Sequence, residues 1–400
     1  MQKWINGWGY RETDFSLFPI VVEDETQRVW FYNNLNASRV RLRFSNRYGR
    51  KELPIEQVWI ALATEQGQID QNANVGVTFD GASGVVLKPG EVRYCDEIAF
   101  SANAGQWVAV SLYIKKKTTV TCATSSQSNI ITRMSCERGG NYCTAREVIG
   151  HRFLGDAEAF LELKPRYNIV CCGLTQAEFL TDDNVTAVTV FGDSITQHGH
   201  WSEALTRRLY EAAPGKVSVV NRGICGNRIL HDASVRSIYG RYFGEGALER
   251  FEEDVFETPT GTDPDIIVLQ EGINDIIQPV DKTCAQYEEI SAIQMRDAYC
   301  SLIATAHAHG SKIYGCTLMP FRGFNEVWTE QTEALRREIN QMIRAKAGFD
   351  RVFDFAAVVC DPDASERLAL NYNCGDNLHP NIAGGQALAE RMDLSYFISI

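Results

Sequence analysis

The chain has no apolar run near the ~18 residues that a helix needs to span a bilayer. Its longest early candidate, Phe15-Ser-Leu-Phe-Pro-Ile-Val-Val22, follows Glu12 and Asp14 and no basic stretch. It therefore does not read as a signal peptide, although a mature secreted chain would look the same. Positive charge is in deficit: 39 Lys and Arg face 51 Asp and Glu, for a net charge of −12. So acidic a chain repels a phosphate backbone, which argues against a nucleic-acid partner. None of the twelve cysteines forms a C-x-x-C, so neither a zinc ribbon nor a thioredoxin-type centre is indicated. Cys300 and Cys316 fall in apolar segments, where the thiol behaves as a small hydrophobe; reduced thiols in a cytoplasmic setting are expected. No G-x-S-x-G occurs, which removes the nucleophile elbow of the α/β-hydrolases. Internal repeats and low-complexity segments are also missing.

What is present is material for a large core. The 400 residues are 44% hydrophobic and 10% aromatic, enough for two or three domains. Periodicity divides them. In Arg39-Val-Arg-Leu-Arg-Phe44, Val40, Leu42 and Phe44 alternate with three arginines, which predicts a strand with one wet and one buried face. Gln57–Leu62 and Trp107–Ile114 continue the pattern. Asn46–Gly49, Asp80-Gly81 and Pro89-Gly90 supply turns. Residues 1–184 are therefore expected to form an all-β sandwich. Beyond Thr181-Asp-Asp-Asn184 the period changes. Strands are predicted at Val185–Phe191, Lys216–Val220, Asp265–Gln270, Lys312–Leu318 and Arg351–Phe355. Helices are predicted at about 202–213, 285–309, 329–347 and 382–392. This alternation predicts an α/β domain over 185–400, a parallel sheet with helices on both faces.

Open α/β sheets bind ligands beyond the carboxyl ends of their strands. Four segments follow predicted strands or precede the last helix: Gly192-Asp-Ser-Ile-Thr196, Asn221–Asn227, Gly272-Ile-Asn-Asp275 and Asp376-Asn-Leu-His-Pro380. Together they can carry acyl transfer. Ser194 sits on a turn between strand and helix but needs a base within hydrogen-bond reach. His379 titrates near neutral pH and suits that task. Asp376, three residues earlier, can reach the imidazole and fix its tautomer. Pro380 suits the first position of the last helix and would hold His379 at a rigid helix start. The amides of Ser194 and Gly226 and the side chain of Asn274 are candidate donors to an oxyanion. Gly226 lets the backbone approach closely, and Asn274 offers an NH₂ group.

The four blocks resemble the GDSL-type esterases of the SGNH hydrolase superfamily: Gly192-Asp193-Ser194, Gly226, Gly272-x-Asn274-Asp275 and Asp376-x-x-His379, in that order. The resemblance covers roughly 185–395. Arg250-Phe-Glu-Glu-Asp-Val255, His307-Ala-His-Gly310 and Thr317-Leu-Met-Pro-Phe321 are similar to the acetylxylan-esterase-like or lipase-like branch. Arg41-Leu-Arg-Phe-Ser-Asn46 with Gly49 resembles the N-terminal β-domain found in that branch. The block departs from the founding motif by placing Ile195, not Leu, after the serine. The resemblance implies a three-layer α/β/α flavodoxin-like domain and a serine esterase needing no metal or organic cofactor. It implies short acyl groups, acetyl among them, on a small-molecule or oligosaccharide ester. A lipase, lysophospholipase or thioesterase would use the same residues. A carbohydrate-binding protein with a degenerate hydrolase half is the reading of another class. The β-half could equally be an assembly or lid element, and a homo-oligomer is left open.

Other residues read as scaffold. Asp193 and Asp275 are expected to tie loop amides together. His198 and His200 form an H-x-H with no third ligand suggested by spacing, and one of them could line the pocket. His307 and His309 sit near a helix end. Arg222 and Arg228 flank the Gly226 loop as salt-bridged scaffold or, in the alternative, as contacts for an acidic substrate, and Cys225 packs beside it. Trp4, Trp8, Trp30, Trp59 and Trp107 are expected in core or interdomain packing.

Overall fold

The computed structural model describes residues 2–150, 169–235, 237, 239–256, 262–285 and 288–398. Contacts divide the chain into two units, Met1–Val185 with Leu209–Val220, and Thr186–Arg208 with Asn221–Ile400. The change of period at 181–184 suggests a single cut. The division is instead discontinuous, since Leu209–Val220 groups with the first unit. Within that unit, Asn34 donates its side-chain amide to the carbonyls of Ala213 (3.1 Å) and Val217 (2.8 Å).

The first unit is a β-sandwich of two five-stranded antiparallel sheets with smaller pairings around them. One sheet runs Gln2–Gly9, Leu174–Asp182, Ala37–Ser45, Val92–Tyr94, with Ile98–Ala102 also paired to Ala37–Ser45. The other runs Thr132–Arg138, Glu25–Tyr32, Trp107–Ile114, Gln57–Ala63, Val75–Gly76. Aromatic rings join their inner faces: Trp8 stacks on Phe31 at 5.1 Å, and Phe31 meets Phe179 edge-on at 6.3 Å. Val40, Leu42 and Phe44 are buried, as their alternation requires. The opposite face is less wet than the arginines suggest. Only Arg39 is exposed; Arg41 pairs with Glu178 and lies over the Trp4 ring, and Arg43 pairs with Glu12. Guanidinium stems can cover such a face while their heads bond carboxylates.

A further sheet runs in the order Val217–Gly223, Thr186–Gly192, Ile266–Gln270, Lys312–Cys316, Arg351–Phe353; the second unit holds the last four strands and Asn221–Gly223 of the first. Numbered within this sheet the order is 2-1-3-4-5, the flavodoxin-like winding, in a three-layer α/β/α arrangement. The pairings from Thr186–Gly192 outward to Arg351–Phe353 are parallel. Every residue of Val217–Gly223 and Ile266–Gln270 is buried, as a sheet covered on both faces demands.

Helices form at His200–Ala212, Ala292–Ala308, Glu330–Arg344 and Ile382–Glu390. Ala292–Ala308 begins later than the expected 285, because Ser291 and Gln294 form a capping box there. Residues 286–287 of that expectation lie outside the described residues. The strand expected to reach Phe355 stops at Phe353, where Asp354 caps a short helix Phe355–Val359. Helices Ala247–Val255 and Ile273–Asp281 were not expected; the second is masked in sequence by Asn274, Asp275 and an internal Pro279. Among the described residues no helix is long and apolar enough to cross a membrane.

Candidate active site

In the 2-1-3-4-5 order, a ligand crevice opens where the chain leaves the first strand one way and the third the other. Thr186–Gly192 and Ile266–Gln270 are those strands, and their carboxyl ends carry Ser194 and Asn274. The two ends approach very closely at Gly192, where a Cβ would lie 2.0 Å from the Gln270 carbonyl oxygen. Asp193 then caps the short helix Ser194–Gln197, its Oδ1 accepting from the Ile195 amide at 2.9 Å. Ser194 is thus the first helical residue, whose N–H has no acceptor within its helix. Only 3% of its surface is exposed.

Ser194 Oγ lies 2.7 Å from His379 Nε2, and His379 Nδ1 lies 2.5 Å from Asp376 Oδ2. Asp376 Oδ1 accepts the amides of Leu378 (2.8 Å) and His379 (2.9 Å), so the three-residue spacing folds the carboxylate back under the ring. Burial works against the Asp376 charge. The His379 ring, its hydrogen bond and the two amides outweigh burial and hold the carboxyl well below the usual range. An ionised carboxylate only accepts, so Nδ1 carries the ring proton and Nε2 accepts from the Ser194 hydroxyl.

Pro380 is not the first residue of the last helix. Asn381 caps Ile382–Glu390 through the Gly384 amide at 2.9 Å, while Pro380 bridges to Asn373 and its carbonyl accepts from His200 Nδ1 at 2.8 Å. Asparagine supplies the cap acceptor that proline lacks.

Gly226 has φ of +70°, and a Cβ there would fall 2.1 Å from the Phe243 ring, so glycine is required twice over. Its N–H donates to none of the described residues, and its carbonyl accepts from Gln278 Nε2 at 2.6 Å. Asn274 lies in the first turn of Ile273–Asp281 and donates one amide hydrogen to the Asn227 carbonyl at 2.9 Å; its second remains for a ligand. Two further bonds tie the Gly226 loop to the serine turn. Ile224 N–H reaches the Gly192 carbonyl (2.9 Å), and Cys225 N–H reaches Gln197 Oε1 (2.9 Å).

Arg250 opens the Arg250–Val255 stretch and Asn227 ends the Asn221–Asn227 segment, but nothing in the sequence marks these two, or Gln278, as braces of the site. Arg250 donates to Asn227 Oδ1, to the Gly192 and Arg222 carbonyls and to Asp254, and its guanidinium lies 3.9 Å from the Phe191 ring centre. Asp275 accepts the amides of Ile229 (2.8 Å) and Leu230 (3.0 Å). Arg222 donates to the Asp254 carbonyl, and Arg228 pairs with Glu288 at 2.7 Å. His307 pairs with Asp350, while His309 pairs with Asp263 and stacks on Phe256 at 3.8 Å.

Of the H-x-H pair, His198 meets the site directly. Its ring lies 4.6 Å from that of His379, tilted by 36°. Burial, and then the nearby His379 and His200, push its pKa well below the usual value, so a neutral ring backs His379. Neither His198 nor His200 belongs to a group of ligating side chains close enough to share an ion. Among the described residues that description fits Cys374, Asp376 and His379.

Residues 190–387 match the model of the GDSL-like Lipase/Acylhydrolase family. Among solved structures, a variant of an acetyl xylan esterase from Geobacillus stearothermophilus is similar at 20% identity, over 54% of this chain and 99% of that one, with a TM-score of 0.40. The acetyl xylan esterase AlAXEase is similar at 21% identity, over 52% and 97%, with a TM-score of 0.38. A GDSL-like lipase from Bacteroides thetaiotaomicron is similar at 19% identity, over 51% and 84%, with a TM-score of 0.35. No curated protein matches the chain.

Proposed function

We propose that residues 185–400, of which 190–387 match the GDSL-like lipase/acylhydrolase family, form the catalytic domain of a carboxylic ester hydrolase that works through an acyl-enzyme on Ser194. The observation that carries the reading is the unbroken hydrogen-bonded series from Ser194 Oγ through the His379 ring to Asp376.

In the first step His379 Nε2 takes the Ser194 hydroxyl proton as Oγ attacks the ester carbonyl. The carbonyl oxygen becomes an oxyanion held by the N–H groups of Ser194 and Gly226 and the Asn274 amide. Asp376 stabilises the imidazolium. The tetrahedral intermediate expels the alcohol, which takes the Nε2 proton as it leaves. Water then repeats the sequence: His379 removes its proton, the acyl–Oγ bond breaks, and Ser194 recovers its hydrogen.

The preferred substrate is a short acyl ester, acetyl above all, of a carbohydrate. One observation supports the carbohydrate moiety. The partly exposed rings of Tyr239 and Phe243 stack at 4.5 Å beside Gly226, offering a flat apolar face to the C–H face of a sugar ring.

The test is hydrolysis of p-nitrophenyl acetate, butyrate and octanoate, and of acetylated xylo-oligosaccharides, by wild type and Ser194→Ala. The variant should lose roughly 10⁴-fold in kcat/KM, with acetate the best chromogenic ester. Wild-type activity in the variant would sink the nucleophile assignment. A preference for octanoate would move the substrate to lipids. Glycan binding with no turnover of any ester would favour a degenerate hydrolase.

A further inference from the structure

The loop that carries Asp376 and His379 also carries Cys374, and the three side chains place ligand atoms within 4.8 Å of one another. The loop is closed on itself. Asn373 Oδ1 accepts the amides of Gly375 (2.8 Å) and Asn377 (3.0 Å), and Asn373 Nδ2 donates to Asn377 Oδ1 (2.7 Å). Gly375 and Asn377 take positive φ of 115° and 68°, which turns the chain back. Cys374 N–H then bonds the His379 carbonyl at 3.1 Å, and Asn373 bridges to Pro380. Cys374 and His379 therefore face each other across a loop fixed by its own hydrogen bonds, with the cysteine exposed.

From this arrangement we propose that Cys374, Asp376 and His379 form an inhibitory site for a thiophilic divalent cation, Zn²⁺ in chemical class. The proposal rests on the reading of His379 as the general base. Thiolate, imidazole and carboxylate are the donors zinc takes, and three of them leave one position for water. A thiolate ligand selects against Mg²⁺ and Ca²⁺, which prefer oxygen throughout. Zinc bonds of about 2.0–2.2 Å to nitrogen and oxygen, at a tetrahedral angle, separate the two atoms by about 3.4 Å. His379 Nδ1 and Asp376 Oδ2 now stand 2.5 Å apart around a proton, so the ion replaces that proton after a parting of about 0.9 Å. The exposed Cys374 thiol completes the site from the solvent side.

The consequence follows from the proton count. Free of metal, Nδ1 bears the ring hydrogen and Nε2 the lone pair that accepts from Ser194. When the ion takes the Nδ1 lone pair, the one hydrogen of the neutral ring must reside on Nε2. The ring then donates towards Ser194 and can no longer remove its proton. Cys374 releases its thiol proton to solvent, and the 2+ charge is balanced by one thiolate and one carboxylate. Zinc thus disables the base without touching Ser194.

The experiment uses the full chain, with Zn²⁺ for inhibition and Co²⁺ as a coloured substitute. Zn²⁺ should suppress hydrolysis of p-nitrophenyl acetate by roughly tenfold or more, and EDTA should restore it. Cys374→Ser should keep the metal-free activity and require at least roughly tenfold more Zn²⁺ for the same inhibition. Cys300→Ser, altering another exposed cysteine, should behave as wild type. Co²⁺ should give a thiolate charge-transfer band with wild type and with Ser194→Ala, and none with Cys374→Ser. Equal Zn²⁺ sensitivity in wild type and Cys374→Ser, or no cobalt–thiolate band, would overturn the site. A normal band together with full activity in Ser194→Ala would instead leave the metal site standing and remove the catalytic reading beneath it.

Discussion

Glu12 and Glu271 are equally hidden, each 1% exposed, yet their carboxyls are driven in opposite directions. Burial raises the pKa of both. At Glu12, in the β-sandwich, Arg43 bonds both carboxylate oxygens at 3.2 Å, Ser45 adds a hydroxyl at 2.7 Å, and Arg11 stands nearby. Together they hold the group well below the carboxylate range. At Glu271, the residue after the strand Ile266–Gln270, Asp193 and Asp275 reinforce burial; Arg250, 3.5 Å away, and the Gly272 amide oppose them and are outweighed, so the pKa rises far above the usual value. Arg28 repeats the lesson in the sandwich. It is fully buried, but Ser111 and five backbone carbonyls receive its donors. The sandwich answers each of these buried charges locally. The second unit gathers Asp193, Asp254 and Glu271 around Arg250, beside the proposed nucleophile Ser194, and perturbed groups concentrate at active sites in enzymes generally.

The strongest way to break this contrast is to remove the answer to Glu12. Arg43→Met leaves a buried carboxylate with only Arg11 and Ser45 and should destabilise the chain by about 3–5 kcal/mol. Five of the seven tryptophans lie between residues 4 and 107, so urea unfolding followed by tryptophan fluorescence reports mainly on this region. Activity per folded molecule should not change; a fall in kcat would show that the sandwich does more than support itself. The next effect is smaller and lies wholly in the other unit. Asn274→Ala removes an oxyanion donor and should lower kcat by roughly 10²–10³-fold, about 3–4 kcal/mol of transition-state stabilisation, with KM nearly constant. Its bond to the Asn227 carbonyl contributes only ~1 kcal/mol to folding, so the loss of rate should far exceed the loss of stability. Equal losses would make Asn274 a loop tie and not an oxyanion donor.

What sequence could and could not reveal follows the same division. The alternation through Val40, Leu42 and Phe44 shows the sandwich because one face of the strand is apolar. The apolar runs before Ser194 and Glu271 show the parallel sheet because both faces are covered. Cross-chain pairing has no such signature. Arg43 meets Glu12 across 31 positions and Arg41 meets Glu178 across 137, so arginines that look solvent-facing are in fact partnered. Helix Ile273–Asp281 escapes because polar residues and Pro279 break its pattern, although its first turn carries Asn274. The H-x-H of His198 and His200 suggests that one of them lines the pocket but does not say which. In the structure His198 backs His379, 181 positions away, and His200 holds the Pro380 carbonyl. The order of Ser194, Gly226, Asn274 and His379 is legible as a motif, whereas the residues that brace them are set by tertiary packing alone.

The smallest expected effect isolates the carboxyl next to the nucleophile. Asp193 is fully buried; its Oδ1 caps the serine helix, and its Oδ2 has no hydrogen-bond partner among the described residues. Burial pushes its pKa up to about 7, with Asp275 assisting and the Ile195 amide, His379 and Arg250 opposing. A carboxyl whose pKa is higher folded than unfolded binds its proton more tightly in the folded chain. Its contribution is therefore fully present below the unfolded value near 4 and is lost as pH rises through about 7. Asp193→Asn keeps the capping oxygen and cannot ionise. Whatever constant offset the new amide introduces, the stability difference between the two proteins should move towards asparagine between pH 4 and 8, by on the order of 1–3 kcal/mol. Thermal melts of both proteins across that range read the trend directly. A difference independent of pH would mean that Asp193 stays ionised throughout, and that the accumulated carboxyls beside Ser194 are compensated as fully as Glu12 is in the sandwich.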